Sequence, residues 1–201
     1  LEWQFERNRV EQVRGFAHFV DAHTIEIEKD SGEIQRVHAE AVLISVGTRP
    51  YRPPNVPFDG QTVMDSDELL NIKAIPRSMI VVGAGVIGIE YATIFSALDT
   101  QVIVVEPRDS MLDFIDREIR DNFAAQLRDR NVKLLFGAGA DKVEKIADGK
   151  ARVTLSNGRV LMAESVLFAA GRQGATDTLN LQSVGLEADR RGRIKVDPIT
   201  F

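Results

Sequence analysis

Cysteine is absent from the 201 residues, so no disulfide framework and no thiolate metal site can be built within them. Long apolar runs are missing too: stretches such as residues 79–82 and 102–105 fall far short of the roughly 20 residues that span a bilayer. Basic residues are outnumbered, 25 Lys and Arg against 30 Asp and Glu, and the two signs are interspersed. That balance provides no cationic face for a phosphate backbone, and nucleic acid is not an expected partner. The three histidines, His18, His23 and His38, have no carboxylate or thiol cluster at metal-ligand spacing, which gives no reason to expect a metal site. No basic-then-apolar leader stands at Leu1, and neither repeats nor low-complexity tracts occur. A soluble, cytoplasmic chain is expected, long enough for one large domain or two small ones.

Residues 2–14 mix charged and apolar side chains without a clean period and suggest a helix end or an exposed lead-in. From Gly15 onward, Phe16, Phe19 and Val20, then residues 24–27, then Ile34 and Val37 around Asp30-Ser31-Gly32 predict a small antiparallel meander. It leads into residues 41–46, an uninterrupted apolar run that predicts a buried parallel strand. Residues 47–60 hold four of the seven prolines, a composition suited to crossing between domains. Ser66-Asp67-Glu68-Leu69-Leu70 has the form of a capped short helix. Domain boundaries are expected at 1–76, with a linker over 47–76, at 77–175, and at 176–201, a return segment.

The second region is more regular. An apolar strand over 79–82 is followed by a helix on which Val86, Ile87, Tyr91, Ile94, Phe95 and Leu98 describe one apolar face. A strand over 102–105, a helix from about Asp116 bearing Ile119, Phe123 and Leu127, and a strand over 132–136 complete a βαβαβ order. Such alternation implies a right-handed parallel sheet with helices packed on it. Beyond Gly139 the period changes to two, with Asp148-Gly149 and Asn157-Gly158 as hairpin turns, and residues 165–170 return as a buried strand.

After Val82 come Gly83, Gly85 and Gly88, spaced as G-x-G-x-x-G. The spacing alone is common, but here an apolar strand precedes it, a helix opens at Val86, and the next strand ends in an acidic residue, Glu106. Gly83 permits a tight turn, Gly85 lets the backbone approach a pyrophosphate, and Gly88 allows the helix to sit close to the strand. Helix N-terminal amides then face the phosphates. Glu106 stands eighteen positions after Gly88, close to the about 20 expected of a carboxylate that accepts hydrogen bonds from the adenosine ribose. A glycine turn serving packing alone would not require that carboxylate. Arg108 adds a second option: a carboxylate pairs with the 2′-hydroxyl of NAD and repels the 2′-phosphate of NADP, whereas a guanidinium clasps that phosphate. The Glu106-Pro107-Arg108 loop is thus expected to accept NAD and NADP alike, with a merely solvated Arg108 as the alternative. The fold expected is α/β, a Rossmann-type parallel sheet with an inserted antiparallel β-meander.

Three segments, residues 43–50, the glycine fingerprint and residues 166–172, resemble those of the two-dinucleotide flavoproteins, the FAD-dependent pyridine nucleotide-disulfide oxidoreductase family that includes glutathione reductase and lipoamide dehydrogenase. The resemblance implies an NAD(P)-binding domain inserted into an FAD-binding domain, with a partial FAD-domain segment on either side of it here. It also implies that the FAD pyrophosphate motif, the redox-centre segment and the C-terminal dimerisation domain lie outside these residues. The chain would then be an internal fragment, inactive alone, of an enzyme that holds FAD and forms a homo-oligomer when full length. Tyr51-Arg52-Pro53, Asp65-Ser66-Asp67, residues 83–95, Thr176-Asp177-Thr178-Leu179 and Gly185-Leu186-Glu187 resemble more closely the branch that passes hydride between NADPH and NAD through FAD. A dihydrolipoamide dehydrogenase-like disulfide reductase and a non-catalytic nucleotide-binding module are the alternatives.

Residue by residue, the resemblance implies that Gly83, Ala84, Gly85, Val86, Ile87 and Gly88 bind the pyrophosphate and that Glu106 and Arg108 bind the ribose. It places Glu90 near nicotinamide and flavin, Val143 beside the adenosine and Gly171 beside the nicotinamide. No general base or nucleophile is required among these residues, because a flavin carries such chemistry. The basic cluster Asp189-Arg190-Arg191-Gly192-Arg193 is expected to be a solvated hairpin turn.

Overall fold

The computed structural model describes residues 2–200, which fall into two compact units: Pro50–Arg172, and residues 2–49 together with 173–200. In the first, five parallel strands form one sheet in the order Val63–Asp65, Ser165–Phe168, Ser78–Val82, Gln101–Glu106, Lys133–Phe136. The helices Val86–Ala97 and Arg117–Asp129 make the crossovers along the last three. These strands lack polar alternation because both faces of the sheet are covered. Met79, Val81, Val102, Val104 and Leu167 pack with Ile89, Ala92, Phe95 and Leu127 of the helices. Their neighbours Ile80, Val82, Val105, Val166 and Phe168 turn the other way. They meet Val143, Val153, Leu155 and Leu161 of an antiparallel meander formed by Ala140–Ile146, Lys150–Leu155 and Val160–Ala163. The meander turns where expected, with φ of 66° at both Asp148 and Gly149 and 80° at Gly158.

The helices bury only part of the stripe that bulky side chains suggest, with Phe95 and Leu127 in the core and Tyr91 and Phe123 packed against it, and they add small residues to that stripe. On Val86–Ala97 the buried residues are Gly88, Ile89, Ala92 and Phe95, while Val86 and Ile94 are exposed, as is Leu98 at the cap. On Arg117–Asp129 the buried residues are Ala124 and Leu127, and Ile119 is 64% exposed. Glycine and alanine let a helix backbone come close to a sheet, so the contact face is marked partly by small residues rather than large ones.

Residues 50–76 belong to this unit and supply its edge strand, Val63–Asp65, buried at all three positions. The short helical turn Glu68–Asn71 is capped from Asp65 rather than Ser66: Asp65 Oδ1 accepts the N–H groups of Asp67 and Glu68, and Glu68 Oε2 accepts the N–H of Asp65. That reciprocal arrangement is a capping box with aspartate in the leading place. Arg52 secures it, its Nε 2.7 Å from Asp65 Oδ2 and its Nη2 bonded to Glu68 Oε1. The ends of the unit meet, since Tyr51 N–H donates to the carbonyl of Gly171 at 3.0 Å.

The other unit contains an exposed helix, Glu2–Arg7, and the expected meander of Phe16–Asp21, Thr24–Glu28 and Ile34–His38. Residues 41–46 do not form the buried parallel strand that their composition predicts. Leu43 is 91% exposed, while Val42 and Ile44 pack against Phe19, Leu179 and Leu181. A strand is completed by pairing with a neighbour, and among the described residues none pairs with this segment. Asp189–Arg193 is a turn as expected, with Asp189 Oδ1 accepting the N–H groups of Arg191 and Arg193 below an Ala188–Ile194 bridge.

The burial pattern of the second helix gives a direct test. Leu127→Ala should destabilise the chain by about 2–5 kcal/mol in urea unfolding, and Ile119→Ala by no more than about 0.5 kcal/mol. A larger loss at Ile119 would contradict the packing.

Candidate functional site

The strand Ser78–Val82 is central in the sheet, and at its C-terminal end the chain turns sharply into the helix Val86–Ala97. Gly83 takes a φ of 109°, in a region that L side chains rarely adopt, and a Cβ there would lie 2.6 Å from the carbonyl oxygen of Ala169. A Cβ on Gly88 would strike the carbonyl of Gly83. Gly85 differs from both: a Cβ built on it meets nothing within 4 Å. It is the N-cap of the helix and offers no side chain to the leading amides, which leaves the first turn dependent on something else for its hydrogen bonds. Two glycines are thus required by packing, and the third faces open space at the positive end of a helix dipole.

Glu106 ends the neighbouring strand Gln101–Glu106 and is buried, with only 3% of its surface exposed. Its Oε2 accepts the Ala84 N–H at 2.7 Å, which ties the carboxylate to the glycine turn. Arg108 supplies three more donors: its backbone N–H and Nε to Oε1 at 3.2 and 2.8 Å, and Nη2 to Oε2 at 3.2 Å. Burial by itself pushes the Glu106 carboxyl up, but the Arg108 side chain and the Ala84 and Arg108 amides outweigh it and hold the group below its ordinary 4.5. The Arg108 guanidinium is pushed up in turn, first by its hydrogen bond to Glu106.

The remaining expected residues are placed separately. Ala84, Val86 and Ile87 lie on the turn and the first helical turn, Ala84 buried and Val86 exposed. Glu90 is exposed on the same helix beside buried Ile89. Gly171, φ 103°, follows the strand Ser165–Phe168 and stands two residues beyond Ala169, whose carbonyl walls Gly83. Val143 is 5% exposed and packs in the core between sheet and meander. Sequence reasoning passed over Asp113, whose Oδ2 accepts from Arg108 Nη1 at 2.8 Å. The available signal was an acid five residues beyond the arginine, just after the apolar pair Met111-Leu112.

A glycine turn with one open position, a helix start above it and a buried carboxylate hydrogen-bonded into it form the geometry that dinucleotides use. Residues 1–199 match the family described as pyridine nucleotide-disulphide oxidoreductase. The chain belongs to this family. Within it, the soluble pyridine nucleotide transhydrogenases of Mycobacterium bovis and Colwellia psychrerythraea are 48% and 42% identical over 96% of the chain. The chain spans only 42% and 41% of their lengths. Among solved structures, the HOCl-induced flavoprotein disulfide reductase RclA of Escherichia coli matches 96% of the chain and 46% of its own length at 30% identity, with a TM-score of 0.82. LpdA of Mycobacterium tuberculosis matches 92% of the chain and 41% of its own length at 28% identity, with a TM-score of 0.83. No helix among the described residues is long and apolar enough to cross a membrane.

The lowered Glu106 pKa fixes a pH dependence. Its stabilisation is complete above the unfolded value near 4.5 and is lost as pH falls through the depressed folded value. Glu106→Gln should be less stable than the unmodified chain at neutral pH, and the gap should narrow in acid as pH falls through the depressed folded value. Paired urea titrations at neutral and acidic pH check this, and an equal gap at both would contradict it.

Proposed function

We propose that the chain is the NAD(P)-binding portion of a flavoprotein that transfers hydride between NADPH and NAD through FAD. The observation that carries the proposal is the contrast among the three glycines: packing accounts for Gly83 and Gly88, whereas no protein atom occupies the space beside Gly85, which leaves it open to a ligand. In this arrangement Gly83, Ala84, Gly85, Val86, Ile87 and Gly88 cradle the pyrophosphate, and Glu106 and Arg108 address the adenosine ribose. Glu90 and Gly171 stand toward the nicotinamide. The Pro50–Arg172 unit holds the nicotinamide nucleotide, and the other unit is part of an FAD-binding domain.

FAD, when bound to the whole protein, supplies the two-electron chemistry. The residues of this chain orient the nicotinamide nucleotide and set which one binds. Transhydrogenase-named relatives at 48% and 42% identity support this activity for the full-length protein. A cytoplasmic homo-oligomer is the form we propose for it. A disulfide reductase is the second reading, favoured by the likeness to RclA, and it would use the same nucleotide site.

Calorimetric titration of the chain with NADH and with NADPH tests the proposal. Both should bind, with dissociation constants within about tenfold of each other, or about 1.4 kcal/mol. Gly85→Ala should abolish binding of both while leaving the thermal midpoint unchanged, because the added methyl meets no protein atom. Arg108→Ala should weaken NADPH selectively. Strong preference for NADH in the unmodified chain would favour a lipoamide dehydrogenase-like reductase, and binding of neither would refute the nucleotide site.

A further inference from the structure

The Arg108 guanidinium is held from two sides. Nε and Nη2 lie along Glu106, and Nη1 donates to Asp113 at 2.8 Å. Asp113 closes a loop that begins after Glu106 and is anchored by Met111 and Leu112, 1% and 5% exposed. Leu112 N–H donates to the carbonyl of Ala84 at 3.1 Å, while the N–H of the same Ala84 donates to Glu106. One residue of the glycine turn thus fixes both carboxylates that hold the arginine, one directly and the other through the residue preceding it.

The four hydrogen bonds that Glu106 accepts fill the roughly four lone-pair sites of a carboxylate. A ribose 2′-hydroxyl that bonds to Glu106 must displace a donor, and the mobile one is the Arg108 side chain. Asp113 gives that side chain a place to stay when it is displaced. A 2′-phosphate makes the opposite demand, since it needs the guanidinium and must draw it from Asp113.

This geometry points to Asp113 as a specificity-determining residue that acts through Arg108: it tethers the guanidinium aside for NAD(H) and withholds it from the 2′-phosphate of NADP(H). The inference rests on the nucleotide site proposed above. Asp113 is a positioning residue here, half-exposed, and its effect is read in the ratio of two affinities rather than in stability.

The test is to measure dissociation constants for NADH and NADPH, at one low ionic strength, on the unmodified chain and on Asp113→Asn. The ratio should move toward NADPH by about three- to tenfold, the scale of one partly screened charge contact. Asp113→Glu should restore the original ratio, and Asp113→Asn in an Arg108→Ala background should leave it unmoved. An unchanged ratio in the single variant, or the same shift without Arg108, overturns the inference while both nucleotides still bind. Binding of neither nucleotide to the unmodified chain overturns the site and the inference together.

Discussion

At Gly88 the helix backbone lies against the carbonyl of Gly83, with no room between them for a methyl group. That approach brings the helix start to the end of the central strand and leaves Gly85 over open space. It also explains the small residues along the helix face, because a backbone this close to a sheet can be matched only by Gly88 and Ala92 beside Ile89 and Phe95. The neighbouring strand then ends beside the turn, where Ala84 can bond to Glu106. The buried acid, the turn and the helix dipole occupy one small region because one backbone contact draws them there.

The sheet can carry such a region because its strands are otherwise apolar between their ends. Helices cover one face and the meander the other, so the strands are hydrophobic between their two ends. The buried carboxylates of the unit, Asp65 and Glu106, stand at the C-terminal ends of their strands. Glu106, buried at its strand terminus, is tolerable there because each of its oxygens is satisfied and a cation lies against it.

Much of this could be read from the sequence because it rests on local backbone chemistry. Glycine spacing, strand-length apolar runs, Asp-Gly and Asn-Gly turns and the acid after the second strand each leave a mark within a few residues. What could not be read depends on tertiary neighbours. The buried stripe of Val86–Ala97 is set by small residues that a search for bulky ones overlooks, and Ile119 matches the helical period yet faces outward. Residues 41–46 have the composition of a buried strand but lack a pairing neighbour among the described residues. The cap at Asp65 lies just outside the 66–70 stretch that the sequence marks as a capped helix, and Arg52 fixes that aspartate. Asp113 is visible only once burial of Met111 and Leu112 folds its loop back on the glycine turn.

The hydrogen bond from Tyr51 to Gly171 joins the two ends of the Pro50–Arg172 unit. A module whose entry and exit coincide makes almost no demand on the chain that carries it: the host sees one point of attachment rather than a span to be bridged. Such a unit can be set into a surface loop of another fold at little cost in loop-closure entropy. It can also be replaced by another module with the same footprint, leaving the host's own strands in register.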